Sequence, residues 1–312
     1  MRSTIHVPHK VSRRICAAVA TVAVAAAISG LCAASTNAGS GGGWIVFWGG
    51  PGPSIYAVEP DGSRLRKLTR FNGNAKRGDI SRNGTRVLFD GAPVSGSRPG
   101  DFDVQTMNLD GSDRRTVAGS PARETEGRFS PDGTRVVYSR DSALTGRSSL
   151  WITTVNGTTH RLVTTGSSAR WSPGSKRIFF ARSDGAQNDL YVASADGARV
   201  TRLTRTLESE EPAGWSPDGR TLLFTRFGES ADVYVMNVDG TSVKRLTRSP
   251  ANEVAGNWSP DGSRIAFTKQ VGGGREVFSM AANGSDARRV LAGNLDPDVT
   301  TWTQTLAAYA PA

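Results

Sequence analysis

The sequence has few of the residues on which catalytic and metal sites usually depend. Among its 312 residues there are 2 cysteines and 3 histidines, and beyond residue 32 only His160 remains of either type. Histidine is the usual general base and a common metal ligand, and no Cys/His cluster has the spacing of a zinc site. No Gly-x-Ser-x-Gly nucleophile elbow and no phosphate-binding loop occurs. We therefore predict no catalytic residue, no cofactor and no histidine-based metal site, and we expect His160 to lie on the surface.

Acidic residues are absent from the first 38 residues, which divide into three parts. Four basic residues form a head, residues 15–28 form an apolar run, and small residues follow over 29–40. This layout is typical of a secretory signal peptide, and the run is too short for an ordinary membrane-spanning helix. We predict that residues 1–38 are a signal and processing region, that residues 39–43 are a Gly-rich linker, and that the mature protein is extracytoplasmic.

Other features of the N-terminus leave its processing open. The Ser12-Arg13-Arg14 triplet resembles the start of a twin-arginine signal, Cys32 offers a site for lipidation, and an uncleaved anchor is a further alternative. Removal of residues 1–38, which hold four bases and no acid, lowers the net charge from +10 to +6. This modest charge weakens a nucleic-acid interpretation of the high pI. We expect no nucleic-acid partner and no stable membrane insertion after processing.

One short motif recurs through the rest of the chain. Trp215-Ser216-Pro217-Asp218-Gly219 has close copies around Ser130 and Ser259 and weaker copies around Ser81 and Ser172, and the five serines are 49, 42, 44 and 43 residues apart. Pro-Asp-Gly is typical of a tight turn, because proline presets φ and glycine accepts φ > 0. A repeat of this length indicates a solenoid, a propeller or an array.

Each repeat predicts four strands, which we name A to D in chain order. Strand A ends at the tryptophan position, strand B is the apolar run after the turn, strand C ends in an Asn-Gly or Asp-Gly turn, and strand D begins with basic residues. Four antiparallel strands per repeat are typical of a β-propeller blade. The sequence holds six copies of strands B, C and D but only five of strand A, because the linker occupies the place before Ile45.

The missing strand A is predicted at the other end of the chain. Trp302 follows Trp258 by 44 residues, which is one repeat, so residues 300–305 should complete the first blade and close the ring. Closure removes the open edges of the sheets. We predict an all-β, six-bladed β-propeller over residues 44–306, with a tail at 307–312. Equivalent structural positions between blades are predicted for Trp171, Trp215, Trp258 and Trp302.

The repeats resemble those of TolB-type propellers, which are relatives of WD-repeat (WD40-like) proteins. The resemblance rests on the Trp-Ser-Pro-Asp-Gly motif, the strand B aromatic, the Asp-x-Tyr-Val-Met-Asn-x-Asp-Gly run at 232–240 and the Arg-Leu-Thr at 245–247. It covers residues 44–306 and implies a propeller that holds protein partners at the channel mouth. TolB's additional α/β domain has no expected counterpart between residues 38 and 44, and we expect no hydrolase domain of the kind found in propeller-bearing peptidases.

Acidic residues recur in the connections that lead into strand A. Three of them lie six residues before the serine of their repeat, and three more lie close by. The six are Glu124, Glu210 and Glu253, together with Glu126, Glu211 and Asp298. Because strand A lines the central channel of a propeller, these carboxylates should lie at the channel mouth. They either pair with nearby arginines on a solvated rim, or form a polar funnel for a peptide segment, a basic group or a hard cation such as calcium.

The favoured function is that of an exported, monomeric, non-catalytic propeller that binds a protein or peptide of the cell envelope. Binding is expected at the channel-mouth face, because function tends to be carried by loops that a rigid scaffold positions. A hydrolase or lyase that acts on an extracellular sugar or peptide is the alternative. A purely structural envelope module is a third interpretation.

Overall fold

The structure is a computed structural model that describes residues 45–49, 54–58, 66–67, 75–81, 83–92, 102–142, 144–259 and 261–291. All regular elements in these residues are β-strands. No helix in this part of the chain is long and apolar enough to cross a membrane. The predicted signal and processing region, the Gly-rich linker, Asp298, Trp302, the strand at 300–305 and the tail at 307–312 lie outside the described residues.

The strands form one three-stranded sheet and five four-stranded sheets, and we call the latter blades I to V. The three-stranded sheet contains β1 (Ile45–Gly49), β2 (Ser54–Val58) and β3 (Arg66–Lys67). Blade I contains β4 (Ala75–Ile80), β5 (Arg86–Gly91), β6 (Asp103–Asn108) and β7 (Arg115–Ala118). Blade II contains β8 (Arg123–Phe129), β9 (Arg135–Asp141), β10 (Ser148–Thr154) and β11 (His160–Thr165).

The remaining three blades have the same antiparallel order, with each strand beside the next one in the chain. Blade III contains β12 (Ser167–Trp171), β13 (Arg177–Ser183), β14 (Asn188–Ser194) and β15 (Val200–Arg202). Blade IV contains β16 (Ser209–Trp215), β17 (Thr221–Phe227), β18 (Ala231–Asn237) and β19 (Lys244–Arg245). Blade V contains β20 (Glu253–Trp258), β21 (Arg264–Val271), β22 (Gly274–Ala281) and β23 (Arg288–Leu291).

The all-β propeller architecture predicted from the repeats is confirmed, but the number of complete blades is not. The described residues contain five four-stranded blades, not six. Strands β1 to β3 have the positions of strands B, C and D, and β1 pairs with β2 alone in the described part of the chain. The first sheet therefore lacks an inner strand here, because the segment predicted to supply it falls outside the described residues.

The recurring turn has a specific hydrogen-bonding pattern, shown here for the blade IV copy. The Gly219 amide donates to the Ser216 carbonyl at 2.8 Å, and the Ser216 amide donates to the Thr221 carbonyl at 2.8 Å. The Ser216 hydroxyl donates to Asp218 Oδ1 at 2.6 Å, while Gly219 has φ = 71°. Glycine accepts this left-handed conformation without the steric cost of a Cβ. The turn thus joins the first and second strand of each blade with little variation.

The first strand of each blade lies innermost and packs against the first strand of the neighbouring blade, as β8 does against β4 and β12, and β16 does against β12 and β20. Trp171 and Trp215, at the ends of two inner strands, are almost fully buried. Their indole N–H groups donate across the blade boundary to the carbonyls of Arg128 at 3.2 Å and Arg170 at 3.1 Å. These tryptophans therefore tie consecutive blades together, and the inner strands surround the central channel.

Candidate functional site

Three of the six predicted channel-mouth acids lie in buried ion pairs within their own blades. Glu124, Glu210 and Glu253 are 0%, 1% and 3% exposed. Each stands directly across the sheet from a cation on the second strand. The contacts are Glu124 Oε1 to Arg140 Nε at 2.8 Å, Glu210 Oε1 to Arg226 Nη2 at 2.8 Å, and Glu253 Oε1 to Lys269 Nζ at 2.9 Å. Ion pairing is thus observed, but in the blade interior and not on a solvated rim.

The cations of two of these pairs are also held by aromatic side chains. The Arg140 guanidinium lies 4.4 Å from the ring centroid of Trp151, and the Arg226 guanidinium lies 4.7 Å from that of Tyr234. Burial raises the pKa of Glu210, and the hydrogen bond and charge of Arg226 only partly offset this effect. A buried carboxylate that lost its cation would remain as an uncompensated charge, which is strongly destabilising. These three acids therefore hold the sheets together.

Glu126 and Glu211 are less buried than the three paired acids. Glu126 has φ = 62° and joins two blades, because its Oε2 accepts hydrogen bonds from Ser139 Oγ at 2.9 Å and from the Ser168 amide at 2.7 Å. Its own amide donates to Asp90 Oδ2 of blade I at 3.0 Å. Glu211 is half-buried, and its charge opposes the lowering of the Arg170 pKa that burial causes on the neighbouring inner strand.

Sequence reasoning missed most of the side chains that contact one another across the inner strands. One residue in each blade, two positions before the repeat serine, forms what we call the channel ring. Its members are Asp79, Arg128, Arg170, Gly214 and Asn257. Asp79 Oδ2 accepts the Phe129 amide of the next blade at 2.8 Å, and Arg170 Nε donates to the Ala213 carbonyl at 3.0 Å. The constant position in the repeat was the available signal, but the residue type changes from blade to blade.

Two arginines, Arg128 and Arg170, carry the positive charge of the channel ring. Arg128 is 5% exposed, and its Nη1 donates to the Gly127 carbonyl at 2.7 Å. Its Nε and Nη2 have no hydrogen-bond partner in the described part of the chain. Burial, and then the charge of Arg128, lower the pKa of Arg170 to about 9, although Glu211, Glu126 and Asp79 oppose this. Burial also raises the pKa of Asp79, although Arg128 acts in the opposite direction.

The channel ring offers guanidinium donors, and Nε and Nη2 of Arg128 have no acceptor among the described residues. Buried guanidinium donors without acceptors are costly, and a carboxylate can accept two parallel N–H bonds from an arginine. His160 is exposed on β11 and contacts Tyr138 Oη through Nδ1 at 3.0 Å, remote from this ring in the sheet. Among the residues that the structure describes, no three His, Cys, Asp or Glu side chains are placed to share a metal ion.

Comparison with known proteins places this fold among β-propellers. Residues 226–308 match the family model described as the TolB beta propeller domain. The structure is similar to putative TolB from Agrobacterium tumefaciens, with a TM-score of 0.63 and 21% identity, over 80% of this chain and 88% of that chain. It is similar to TolB from Acinetobacter baumannii, with a TM-score of 0.67 and 16% identity, over 82% of this chain and 65% of that chain. At these identities the solved structures establish the fold alone.

One relative of similar sequence is described as a peptidase. The "Uncharacterized peptidase YuxL" of Bacillus subtilis (strain 168) is 30% identical over 111 residues, which are 32% of this chain and 17% of that protein. This chain therefore spans only a small part of that relative. The repeat motifs, the blades and the match over residues 226–308 agree with the resemblance drawn from the sequence. The described residues thus form a β-propeller similar in fold to those of TolB proteins, and residues 226–308 match the TolB beta propeller domain.

Proposed function

We propose that this protein is an exported, non-catalytic propeller that binds a peptide segment of a protein partner in its central channel. The single observation that supports this function is Arg128, a nearly buried arginine with two guanidinium nitrogens that have no hydrogen-bond partner among the described residues. Buried polar groups without partners tend to occur where a protein's function requires them. The bound segment would supply a carboxylate, from an acidic side chain or a C-terminus, because the positive charges of Arg128 and Arg170 act on one another in the ring.

The surrounding acids give the proposed segment a direction. Glu126 and Glu211 lie earlier on their inner strands than Arg128 and Arg170 do, so they are closer to the loops that enter the blades. A segment that enters from the loops would therefore pass acidic groups before its carboxylate reaches the arginines. We propose that this path selects a segment with basic or neutral residues before its carboxylate.

Several features of the protein as a whole belong to the same proposal. We propose that residues 300–305 add the inner strand to the three-stranded sheet and complete a six-bladed ring. We further propose that residues 1–38 direct the chain out of the cytoplasm, that the mature protein is a monomer, and that its partner is a protein of the cell envelope. The apolar run and small-residue exit of the N-terminus support the export step.

Site-specific crosslinking would test the binding function. A photoreactive amino acid at Glu211 in the mature protein, incubated with the envelope fraction of the producing cell, should yield a covalent partner. The Arg128→Met variant should lose this product, whereas Arg182→Met should retain it, because Arg182 stacks on Tyr191 and does not belong to the channel ring. Equal crosslinking by both variants would contradict a role for Arg128.

A stability measurement separates binding from structure in the same variants. Methionine at position 128 removes two nitrogens that lack hydrogen bonds, but it also removes the Nη1 bond to the Gly127 carbonyl and a positive charge that acts on Asp79. These effects oppose one another, so the melting temperature of Arg128→Met should stay close to that of the native protein. Peptides from the captured partner should also bind more weakly as C-terminal amides, or after Asp/Glu to Asn/Gln exchange, if the carboxylate is the contact. A large loss of stability in Arg128→Met would mark Arg128 as a structural residue.

A hydrolase is the second candidate, because the matched region is shared with a protein described as a peptidase. Purified mature protein should show no turnover with peptide and glycoside substrate panels if the binding function is correct. Turnover that is abolished by a change in one channel residue would favour the enzyme.

A further inference from the structure

The interfaces between blades contain a repeated stacking arrangement. The Arg135 guanidinium at the start of β9 lies 4.9 Å from the ring centroid of Trp171 in the next blade. The Arg177 guanidinium at the start of β13 lies 4.8 Å from that of Trp215. Both arginines stand five residues after the repeat serine. An arginine from one blade thus covers the tryptophan of the next at these two interfaces.

The next interface breaks this arrangement. The residue five positions after the serine is arginine in blades I, II, III and V, but it is Thr221 in blade IV. Thr221 faces the interface that contains Trp258, and a cleft of about 610 Å³ opens there. Thr221 and Trp258 line this cleft, and so do Met236, Asp218, Asp261 and Gly262. A threonine is too short to cover an indole ring as the arginines do, so the cleft lies where a guanidinium lies in the preceding interfaces.

The groups that hold the Arg135 guanidinium have equivalents around this cleft. Besides Trp171, Arg135 Nη2 contacts Asp132 Oδ2 at 3.2 Å and donates to the Ser175 carbonyl at 2.7 Å. By position in the repeat, Asp218 corresponds to Asp132 and Gly262 corresponds to Ser175. The aromatic ring, the carboxylate and the backbone carbonyl therefore all have equivalents among the residues that line the cleft. Only the guanidinium has none, because Thr221 stands in place of the arginine.

The charge of the cleft favours a cation. The hydrogen bond from the Ser216 hydroxyl lowers the pKa of Asp218, and hydrogen bonds from Ser259 and Ser263 lower the pKa of Asp261 to about 2. Both carboxylates are therefore ionised at neutral pH. Lys244 also lines the cleft, but its Nζ donates to the Asn283 carbonyl at 3.0 Å. The Lys244 ammonium is thus engaged with the neighbouring turn.

A second observation distinguishes this interface from the two before it. The Trp258 side chain is buried, yet its Nε1 has no hydrogen-bond partner in the described part of the chain. The equivalent indoles of Trp171 and Trp215 both donate to backbone carbonyls of the preceding inner strand. Of these three interfaces, the one at Trp258 has neither a stacking cation nor an indole hydrogen bond among the described residues.

We propose that the Thr221–Trp258 cleft binds the guanidinium group of an arginine side chain from a partner protein. The incoming group would stack on Trp258, pair with Asp218 and donate to the Gly262 carbonyl, as Arg135 does with the equivalent groups of its interface. The cleft lies beside the Ser-Pro-Asp-Gly turns and is separate from the channel ring, so it forms a second binding site. A planar guanidinium stacks and donates in parallel, whereas an ammonium cannot do both, so arginine is favoured over lysine.

The test uses the purified mature chain and N-acetyl-arginine amide as the probe, with N-acetyl-citrulline amide as its neutral isostere. Titrations followed by NMR of the tryptophan indole N–H signals should show saturable binding of the arginine probe and much weaker binding of citrulline. The Thr221→Arg variant should bind the probe at least about tenfold more weakly, because its own arginine occupies the cleft. Its melting temperature should not fall, since the preceding interfaces already accept arginine. Thr221→Val is the matched control and should keep the affinity.

A converse variant keeps the proposal testable if Thr221→Arg folds poorly. Arg135→Thr reproduces the blade IV arrangement at the Trp171 interface, where Asp132 and the Ser175 carbonyl remain. This variant should bind a second equivalent of the arginine probe. The proposal is overturned if citrulline binds as tightly as arginine, if Thr221→Arg binds the probe as well as the native protein does, or if Arg135→Thr gains no second equivalent.

Discussion

The ion pair between Glu124 and Arg140 should respond very differently to removal of its acid and of its base. Glu124 is fully buried, whereas the Arg140 side chain is 25% exposed. In Arg140→Met, the Glu124 carboxylate keeps only Ser120, whose hydroxyl lies 2.5 Å from Oε1 and whose amide lies 3.3 Å from Oε2. Removing one member of a buried pair costs about 3–5 kcal/mol. That is a large share of the roughly 5–15 kcal/mol by which a domain is stable.

The reverse change should be milder. In Glu124→Gln, the Arg140 guanidinium can still reach water and still stacks on Trp151. The amide of the glutamine also retains an acceptor for Ser120. Loss of one charge-assisted hydrogen bond then costs about 1–3 kcal/mol. We therefore expect Arg140→Met to be the more destabilising of the two single changes, and the double variant to be less destabilised than the sum of both.

Urea unfolding measures these differences, provided that the slope against urea is unchanged between variants. Arg115→Met is the matched control, because its pair with Asp113 at 2.9 Å is about half exposed on both sides. Exposed pairs contribute about 0–1 kcal/mol, so this variant should be nearly neutral. If Arg140→Met is no more destabilising than Arg115→Met, the buried pair does not stabilise the sheet and Glu124 returns as a candidate for partner binding.

Three further predictions concern the turns, the ring and export. Hydrogen bonds lower the pKa of Asp261 to about 2 in the folded protein. The contribution of Asp261 to stability is therefore present above its unfolded pKa of about 4 and is lost as the pH falls towards 2. The urea midpoint should drop over this pH range, and it should drop less in Asp261→Asn. Deletion of residues 300–312 should lower the melting temperature sharply or cause aggregation, because β1 would keep an unpaired edge. Deletion of residues 309–312 should have little effect. Equal stability of the two deletion variants would disprove ring closure. Intact mass of the exported protein should show loss of about the first 34–38 residues, and a full-length cytosolic chain would refute this.

The strands could be predicted from the sequence because each carries a local signal that the structure obeys. The apolar run after each Ser-Pro-Asp-Gly turn became the second strand of its sheet, as with β9 and β17. The turn itself is held by bonds within five residues, such as those of Ser216 and Thr221. The prediction of six blades depended on a strand at residues 300–305. The spacing of the repeats predicts this strand, but it lies outside the described residues. A count of repeats is therefore safer for individual strands than for the closure of a ring.

The candidate site was harder to predict, because sequence spacing does not report which side chain faces which. Glu124 and Arg140 are 16 residues apart in the chain but directly opposite one another in the sheet. Their register, and not the presence of acids near strand A, decides that Glu124 is paired and buried. Arg128 shows the converse: it stands among many surface arginines in the sequence, and only the structure shows that it is buried.

A substitution that sets one repeat apart from the others indicates a binding site only when no other group of the protein takes over the contacts of the missing side chain. In blade III the residue equivalent to Glu124 is Gly166, so Arg182 has no acid opposite it on the inner strand, although Asp189 lies opposite it on β14. However, Arg182 Nε donates to the Thr165 carbonyl at 3.0 Å, its Nη2 donates to Thr164, and its guanidinium lies 4.7 Å from the Tyr191 ring centroid. The loss of the acid is thus compensated by two threonines of blade II and by Tyr191 of blade III, and no site follows from it. At Thr221 no other cation of the described residues lies over the Trp258 ring, a cleft lined by Thr221 and Trp258 is present, and the Trp258 indole N–H has no partner in the described part of the chain. This contrast is the physical reason to place a ligand at the second departure and not at the first.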